Sequence, residues 1–87
     1  MIKVEYHKKF DKQFAKLPRN RRDKAIEAID QFIDHPNHDK LRNHALTGEW
    51  RGFRSIHAGG DLRLHFEMIN DETAYFVAIG THSQLYK

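Results

Sequence analysis

Residues 44–66, HALTGEWRGFRSIHAGGDLRLHF, place histidines, an aspartate and arginines in a stretch that otherwise alternates like a β-hairpin. Cleavage of RNA without a metal needs a base for the 2′-hydroxyl proton, an acid for the departing 5′-oxygen and cations for the phosphate. Imidazoles titrate near neutral pH, and the guanidinium of arginine binds phosphate bidentately. These residue types are therefore compatible with phosphoryl transfer. The simpler alternative is a charged sheet face that keeps a small domain soluble.

Other site chemistries have less support from the spacing. His35 and His38 lie three apart but flank a proline that ends a helix, so their spacing does not indicate a zinc site. The chain has no cysteine, and Ser55 and Ser83 lie in no recognisable nucleophile turn. The glycines of AGGD fall in the predicted hairpin and read as turn residues. We therefore expect neither a metal site nor a cofactor.

The elements that must position these residues follow from the hydrophobic periodicity. Spacings of three and four predict two helices, with a proline between them, and alternation of apolar and polar residues predicts four strands. The order is β-α-α-β-β-β, an α+β fold in which both helices cover one face of an antiparallel-rich twisted sheet. The predicted strands are Ile2–Tyr6, Trp50–His57, Asp61–Met68 and Ala74–Ile79, and the predicted helices are Lys8–Leu17 and Asn20–Asp34. The last strand is the most apolar, which favours an interior position in the sheet.

Alternation along the strand after AGGD decides which of its side chains share a face. One set is expected to point onto the helices: Leu62, Leu64, Phe66 and Met68. The other set is expected on the open face: Asp61, Arg63, His65 and Glu67. His57, at the end of the preceding strand, can join this outward set. By the same reasoning we expect His65 and His7 on the surface, and Trp50 and Phe53 in the core.

Length and composition limit the remaining possibilities. The 87 residues suit one domain, residues 1–87, and no apolar run approaches the ~20 residues needed to span a membrane. The N-terminus lacks the apolar stretch of a signal peptide, so we expect the whole chain to be the mature protein in the cytoplasm. A net charge of +3 and a pI near 9.3 favour a polyanionic or acidic partner without requiring one.

Two segments taken together carry a family resemblance. NHALTGEWRGFRSIHAGGDLRLHF, followed near the C-terminus by AIGTHSQLY, resembles the YafQ branch of the RelE/ParE superfamily of bacterial toxins. The likeness is close over residues 40–87, and over residues 1–39 it extends to the layout of one strand and two helices. It implies a RelE-like fold, cleavage of mRNA in the A site of the 70S ribosome, and neutralisation by a cognate antitoxin protein.

The resemblance also assigns roles to individual residues. It implies that His44, His57, Asp61 and His82 are catalytic, and that Tyr86 matches a C-terminal aromatic residue that contacts RNA. Arg63 and Arg54 match basic positions on the RelE sheet and are expected to bind phosphate. Where YafQ-like chains usually have PDW, this chain has GGDL, so Leu62 replaces an aromatic side chain. Two alternatives remain open, a ParE-like toxin that binds DNA gyrase without cleaving RNA and a catalytically decayed relative that still binds its antitoxin.

Overall fold

The structure is a computed structural model that describes residues 1–86. Five strands and three α-helices follow the chain. They are β1 (Lys3–Tyr6), α1 (Lys8–Ala15), α2 (Arg19–Asp34), β2 (His44–Ala45), β3 (Arg54–His57), β4 (Leu62–Met68), β5 (Thr73–Thr81) and α3 (His82–Leu85). Of the predicted domain, residues 1–87, Lys87 lies outside the described residues. None of the helices in the described part is long and apolar enough to cross a bilayer.

The helix boundaries follow from local chemistry. His7 caps α1, where its Nδ1 accepts a hydrogen bond of 2.9 Å from the backbone N–H of Lys9, and its side chain is exposed as predicted. Pro18 lies between α1 and α2, because a proline cannot donate to the hydrogen-bond ladder of a continuing helix. Both predicted helices are confirmed, although α1 ends at Ala15 rather than Leu17.

The five strands form one mixed sheet in the order β1-β5-β4-β3-β2. β1 pairs in parallel with β5, and the other pairs are antiparallel. The α+β class and the order of the predicted elements are confirmed, and β5 is an interior strand as expected. β3 begins at Arg54 rather than Trp50, because a 3₁₀ turn over Gly48–Trp50 and a left-handed Gly52 (φ 94°) precede it. The short elements β2 and α3 were not predicted.

The core fills the space between α1, α2 and one face of the sheet. Leu62, Leu64 and Phe66 point into it as alternation predicts, and the ring of Phe66 packs edge-on against Phe32 of α2 with centroids 4.9 Å apart. Met68, predicted to point the same way, is instead 39% exposed because the strand ends there. Opposite the step from His65 to Phe66, β5 has a bulge of one extra residue. The bulge lets β5 keep its apolar side chains on the core face both before and after this point.

The second face of the sheet is covered at its centre rather than open. The indole of Trp50 lies over His65, with ring centroids 4.4 Å apart, and its Nε1 donates a 3.1 Å hydrogen bond to the carbonyl of Leu85 in α3. His65 is therefore fully buried, and its prediction as a surface residue is wrong. Trp50 and Phe53 are only half-buried and lie outside the main core cluster, because they serve this second layer.

Candidate active site

Two of the predicted catalytic histidines lie side by side at the edge of the covered second face. β2 pairs with β3 so that His44 is opposite Ser55, two residues before His57 on the same face of β3. The His44 and His57 rings meet edge to face, with centroids 5.8 Å apart. His44 is exposed and His57 is half-buried. The imidazole pair therefore exists because the two-residue strand β2 brings His44 beside β3.

His57 lies in a cationic environment. Its partner across the β3–β4 pair is Arg63. Burial is the largest of the causes that lower the pKa of His57 to about 4, and the nearby charges of Arg63, His44 and Arg42 contribute to the same shift. An imidazole with that pKa is neutral at pH 7, so it can accept a proton but holds none to donate.

Arg63 lies between His57 and the C-terminal helix. On the side away from His57, Arg63 pairs with Gly80 of β5, and α3 packs directly over that glycine. A Cβ atom at Gly80 would lie 2.9 Å from Oε1 of Gln84, so a larger residue there would have to displace the Gln84 side chain. α3 carries His82 at its first position, with the side chain exposed. A group bound to Arg63 would therefore have His57 on one side and the His82 helix on the other.

Tyr86 fixes the end of that helix against the sheet. Its ring packs on His82 with centroids 4.5 Å apart, and its hydroxyl lies 3.4 Å from Nε2 of the buried His65. Burial raises the pKa of the Tyr86 phenol, against an opposing effect of Arg63. Burial is also the main cause that lowers the pKa of His65 to about 4. His65 was missed as a component of the site, although its alternation with Arg63 already placed it on this face.

Two predicted site residues lie away from this group. Asp61 lines a small groove of about 370 Å³ with Arg21 and Lys24 of α2, and within residues 1–86 neither a hydrogen bond nor an ion pair joins it to His57. Arg54 shares a face of β3 with the core residue Ile56, opposite to His57. Its Nε donates a 2.9 Å hydrogen bond to Oδ1 of Asn43.

A larger groove opens beside His57. It has a volume of about 770 Å³ and runs between α2 and the loop before β2. Its lining carries charges of both signs: the cations Lys40 and Arg42, the carboxylate of Asp39, and Lys24, which forms a 3.8 Å ion pair with Glu27. Across residues 1–86, no group of three or more His, Asp or Glu side chains is arranged to hold a metal ion. The site is thus a face with imidazoles, an arginine and an adjoining polar groove.

Comparison with known proteins places the chain in a family. Residues 2–87 match the family model described as the bacterial toxin of type II toxin–antitoxin systems, YafQ. A Haemophilus influenzae protein named as a YafQ toxin is 34% identical over an alignment of 92 positions that spans 95% of this chain and 90% of that protein. The crystal structure of YafQ from Escherichia coli is 25% identical, with a TM-score of 0.79 over the full length of both chains. The YafQ chain of the E. coli DinJ–YafQ toxin–antitoxin complex superposes with a TM-score of 0.76 at 25% identity, over 99% of this chain and 98% of that one. The chain therefore belongs to the YafQ family of type II toxin–antitoxin toxins.

Proposed function

We propose that this toxin is a RelE-like endoribonuclease, an mRNA interferase that cuts mRNA in the ribosomal A site. The observation that carries the proposal is the pairing of His44 with His57 beside Arg63, with His82 on the other side of that arginine. A toxin that acts by binding alone has no use for this grouping of imidazoles around a cation. RNA cleavage can use it, because proton transfer occurs on both sides of one phosphate and imidazoles can serve as the acid and the base.

The proposed reaction is transesterification by the substrate's own 2′-hydroxyl. One imidazole of the His44–His57 pair accepts the 2′-hydroxyl proton while O2′ attacks phosphorus and the P–O5′ bond breaks. The departing O5′ takes a proton from His82, which leaves a 2′,3′-cyclic phosphate and a 5′-hydroxyl. Arg63 stabilises the negative charge that grows on the phosphate oxygens. No step needs a metal or a cofactor.

The electrostatics of the free site fit the accepting side of this scheme. Because His57 is neutral at pH 7, the pair offers a free ring nitrogen without prior deprotonation. His82 is exposed at the start of α3 and can exchange its proton with solvent between turnovers. The groove beside His57 has room for an RNA strand that continues away from the cleaved bond.

The remaining predicted residues have supporting roles in this proposal. Tyr86 holds His82, and its partly exposed ring offers a face on which a base can stack. Asp61, at the hairpin turn, acts only if RNA binding draws the turn towards His57. Arg54 binds phosphate less directly than Arg63, since its guanidinium is already joined to Asn43.

The proposed partners follow from the family. The E. coli relative is named in a complex with its antitoxin DinJ, and we propose that this chain likewise has a cognate antitoxin protein. The other partners are the 70S ribosome and the mRNA in its A site, which place the toxin in the cytoplasm. A partner that is acidic and folds on binding would suit the basic surface of the toxin.

Cleavage of mRNA by purified toxin in a reconstituted 70S translation system tests the proposal. We expect primer extension to show cuts within codons, and His57→Gln and His82→Gln to slow cleavage by about 10²-fold or more each. His35→Gln is the matched control, since that exposed histidine lies at the end of α2. Intact transcripts together with inhibited gyrase would favour the ParE-like alternative. Intact transcripts with tight antitoxin binding would indicate a decayed toxin.

A further inference from the structure

The loop before β2 contains a strained backbone position. Arg42 has φ 48° and ψ 44°, the left-handed helical region, and it is the only non-glycine residue with positive φ among residues 1–86. An L-residue with a side chain rarely adopts this conformation unless the surrounding structure holds it there. The surrounding loop must therefore hold the Arg42 backbone in this conformation.

Contacts on both sides hold the loop in this shape. Leu41 is 2% exposed and anchors the 3₁₀ turn Asp39–Leu41 in the core. Asn43 donates a 2.9 Å hydrogen bond from Nδ2 to the carbonyl of Pro36 and accepts one of 2.9 Å from Arg54. The residue between these two anchors, Arg42, is left with one orientation for its carbonyl group.

That carbonyl points at the ring of His44. The Arg42 oxygen lies 2.7 Å from His44 Nδ1. A carbonyl oxygen can only accept a hydrogen bond, so Nδ1 must carry the hydrogen. In the neutral ring the lone pair then belongs to Nε2, because one nitrogen of a neutral imidazole donates and the other accepts.

We propose that Arg42 is a positioning residue that acts through its backbone carbonyl, which holds His44 in the Nδ1–H tautomer and leaves the lone pair of Nε2 as the one that can accept a proton. This inference deepens the proposed function and rests on it. When Nε2 takes the proton, the ring becomes an imidazolium cation whose Nδ1–H still points at the Arg42 carbonyl, which stabilises the added charge. The proton leaves to solvent or to a product group afterwards, so the ring returns to its starting tautomer.

Geometry also distinguishes His44 from its neighbour. His44 is exposed and its Nε2 is free to meet the substrate, whereas His57 is half-buried beside Arg63. His57 lies where the phosphate is expected and is better placed to hold it.

Two substitutions of Arg42 both remove the guanidinium but differ in whether the backbone carbonyl keeps its position. Comparing them separates the role of the carbonyl from that of the charge. Arg42→Gly keeps easy access to positive φ, whereas Arg42→Val strongly disfavours it. We expect Arg42→Val to lower kcat by about 10²-fold with little change in KM, and Arg42→Gly to restore most of that loss. Arg51→Val is the matched control, since it removes an exposed guanidinium at a backbone position (φ −57°, ψ 133°) that valine adopts readily. Equal losses in the glycine and valine variants would show that the guanidinium matters, and would overturn the inference.

The tautomer of His44 can be measured without any cleavage assay. Long-range ¹H–¹⁵N correlation spectra of the folded toxin distinguish a ring protonated at Nδ1 from one protonated at Nε2, with His44→Gln to assign the signals. We expect the Nδ1–H form in the wild type and in Arg42→Gly, a result that stands even if Arg42→Val fails to fold. The Nε2–H form in the wild type would overturn the inference while leaving the nuclease proposal intact. Conversely, an Nδ1–H ring in a protein that cleaves no RNA would refute the nuclease proposal alone.

Discussion

Replacing His65 with leucine is expected to flatten the pH dependence of folding stability in weak acid. The ring is fully buried, and burial, with smaller effects of His44, Arg63 and His82, lowers its pKa from 6.5 to about 4. As the pH falls through 6.5 the unfolded chain takes up a proton on this ring, whereas the folded protein does so only near pH 4. Because the unfolded state binds more protons in that window, the contribution of His65 is fully present above pH 6.5 and is lost as the pH falls towards 4.

The size of the effect follows from the difference between the two pKa values. When the pH is lowered from 7 to about 4.5, the wild type should lose about 2.5 kcal/mol of its free energy of unfolding through His65. His65→Leu should not show this loss. Urea unfolding at both pH values, followed by circular dichroism, measures this difference. His57, whose pKa is also lowered, contributes equally to the pH dependence of both proteins, so its effect cancels in the comparison. His35→Gln is the control, since its ring is exposed.

One result would refute the reasoning. If the wild type and His65→Leu lost the same free energy of unfolding between the two pH values, with equal m-values, the ring would have to be protonated or hydrated in the folded protein. The contact between Trp50 and His65 would then not exclude water. A leucine variant that is also more stable at pH 7 would agree with the structure, because Nδ1 of His65 is buried and has no hydrogen-bond partner among residues 1–86.

Three further outcomes are expected. Gly80→Ala should slow RNA cleavage and lower the free energy of unfolding by only about 1 kcal/mol, because the added Cβ displaces the Gln84 side chain that caps α3. Cleavage rates and melting curves measure the two effects. Trp50→Phe removes the hydrogen bond to the carbonyl at the end of α3, and should cost about 1 kcal/mol and speed amide exchange in that helix, as measured by hydrogen exchange. Arg63→Gln should raise the pKa of His57 only in part, because burial is the larger cause of its shift, and an NMR titration of that ring would measure the change.

The parts of the fold that the sequence predicts well are those in which each element carries its own periodic signal. α2 shows buried residues at helical spacing, and β4 alternates over seven residues, so both were predicted close to their observed bounds. β2 has two residues and α3 has four, which is too short for any period. Each exists because of tertiary pairing, β2 against β3 and α3 over Gly80.

The predicted site divides in the same way. Local alternation placed Arg63 and His65 on one face, but only the indole of Trp50, which comes from another part of the chain, decides that His65 is buried. Alternation within β3 could also have separated Arg54 from His57, since neighbouring residues of a strand face opposite sides. The match of Arg54 to a basic position of related sheets outweighed that local signal in the prediction.

The cations around His57 link substrate binding to protonation. The charges of Arg63 and Arg42 help to keep the pKa of His57 low in the free protein. A bound phosphate would neutralise part of that charge, so the pKa of His57 must rise as RNA binds, and by thermodynamic linkage protonation of His57 must tighten phosphate binding. Burial is the larger cause of the low pKa and persists in the complex, so His57 recovers only part of its basicity when phosphate binds. Arg63 therefore supplies the permanent positive charge that stabilises the phosphate.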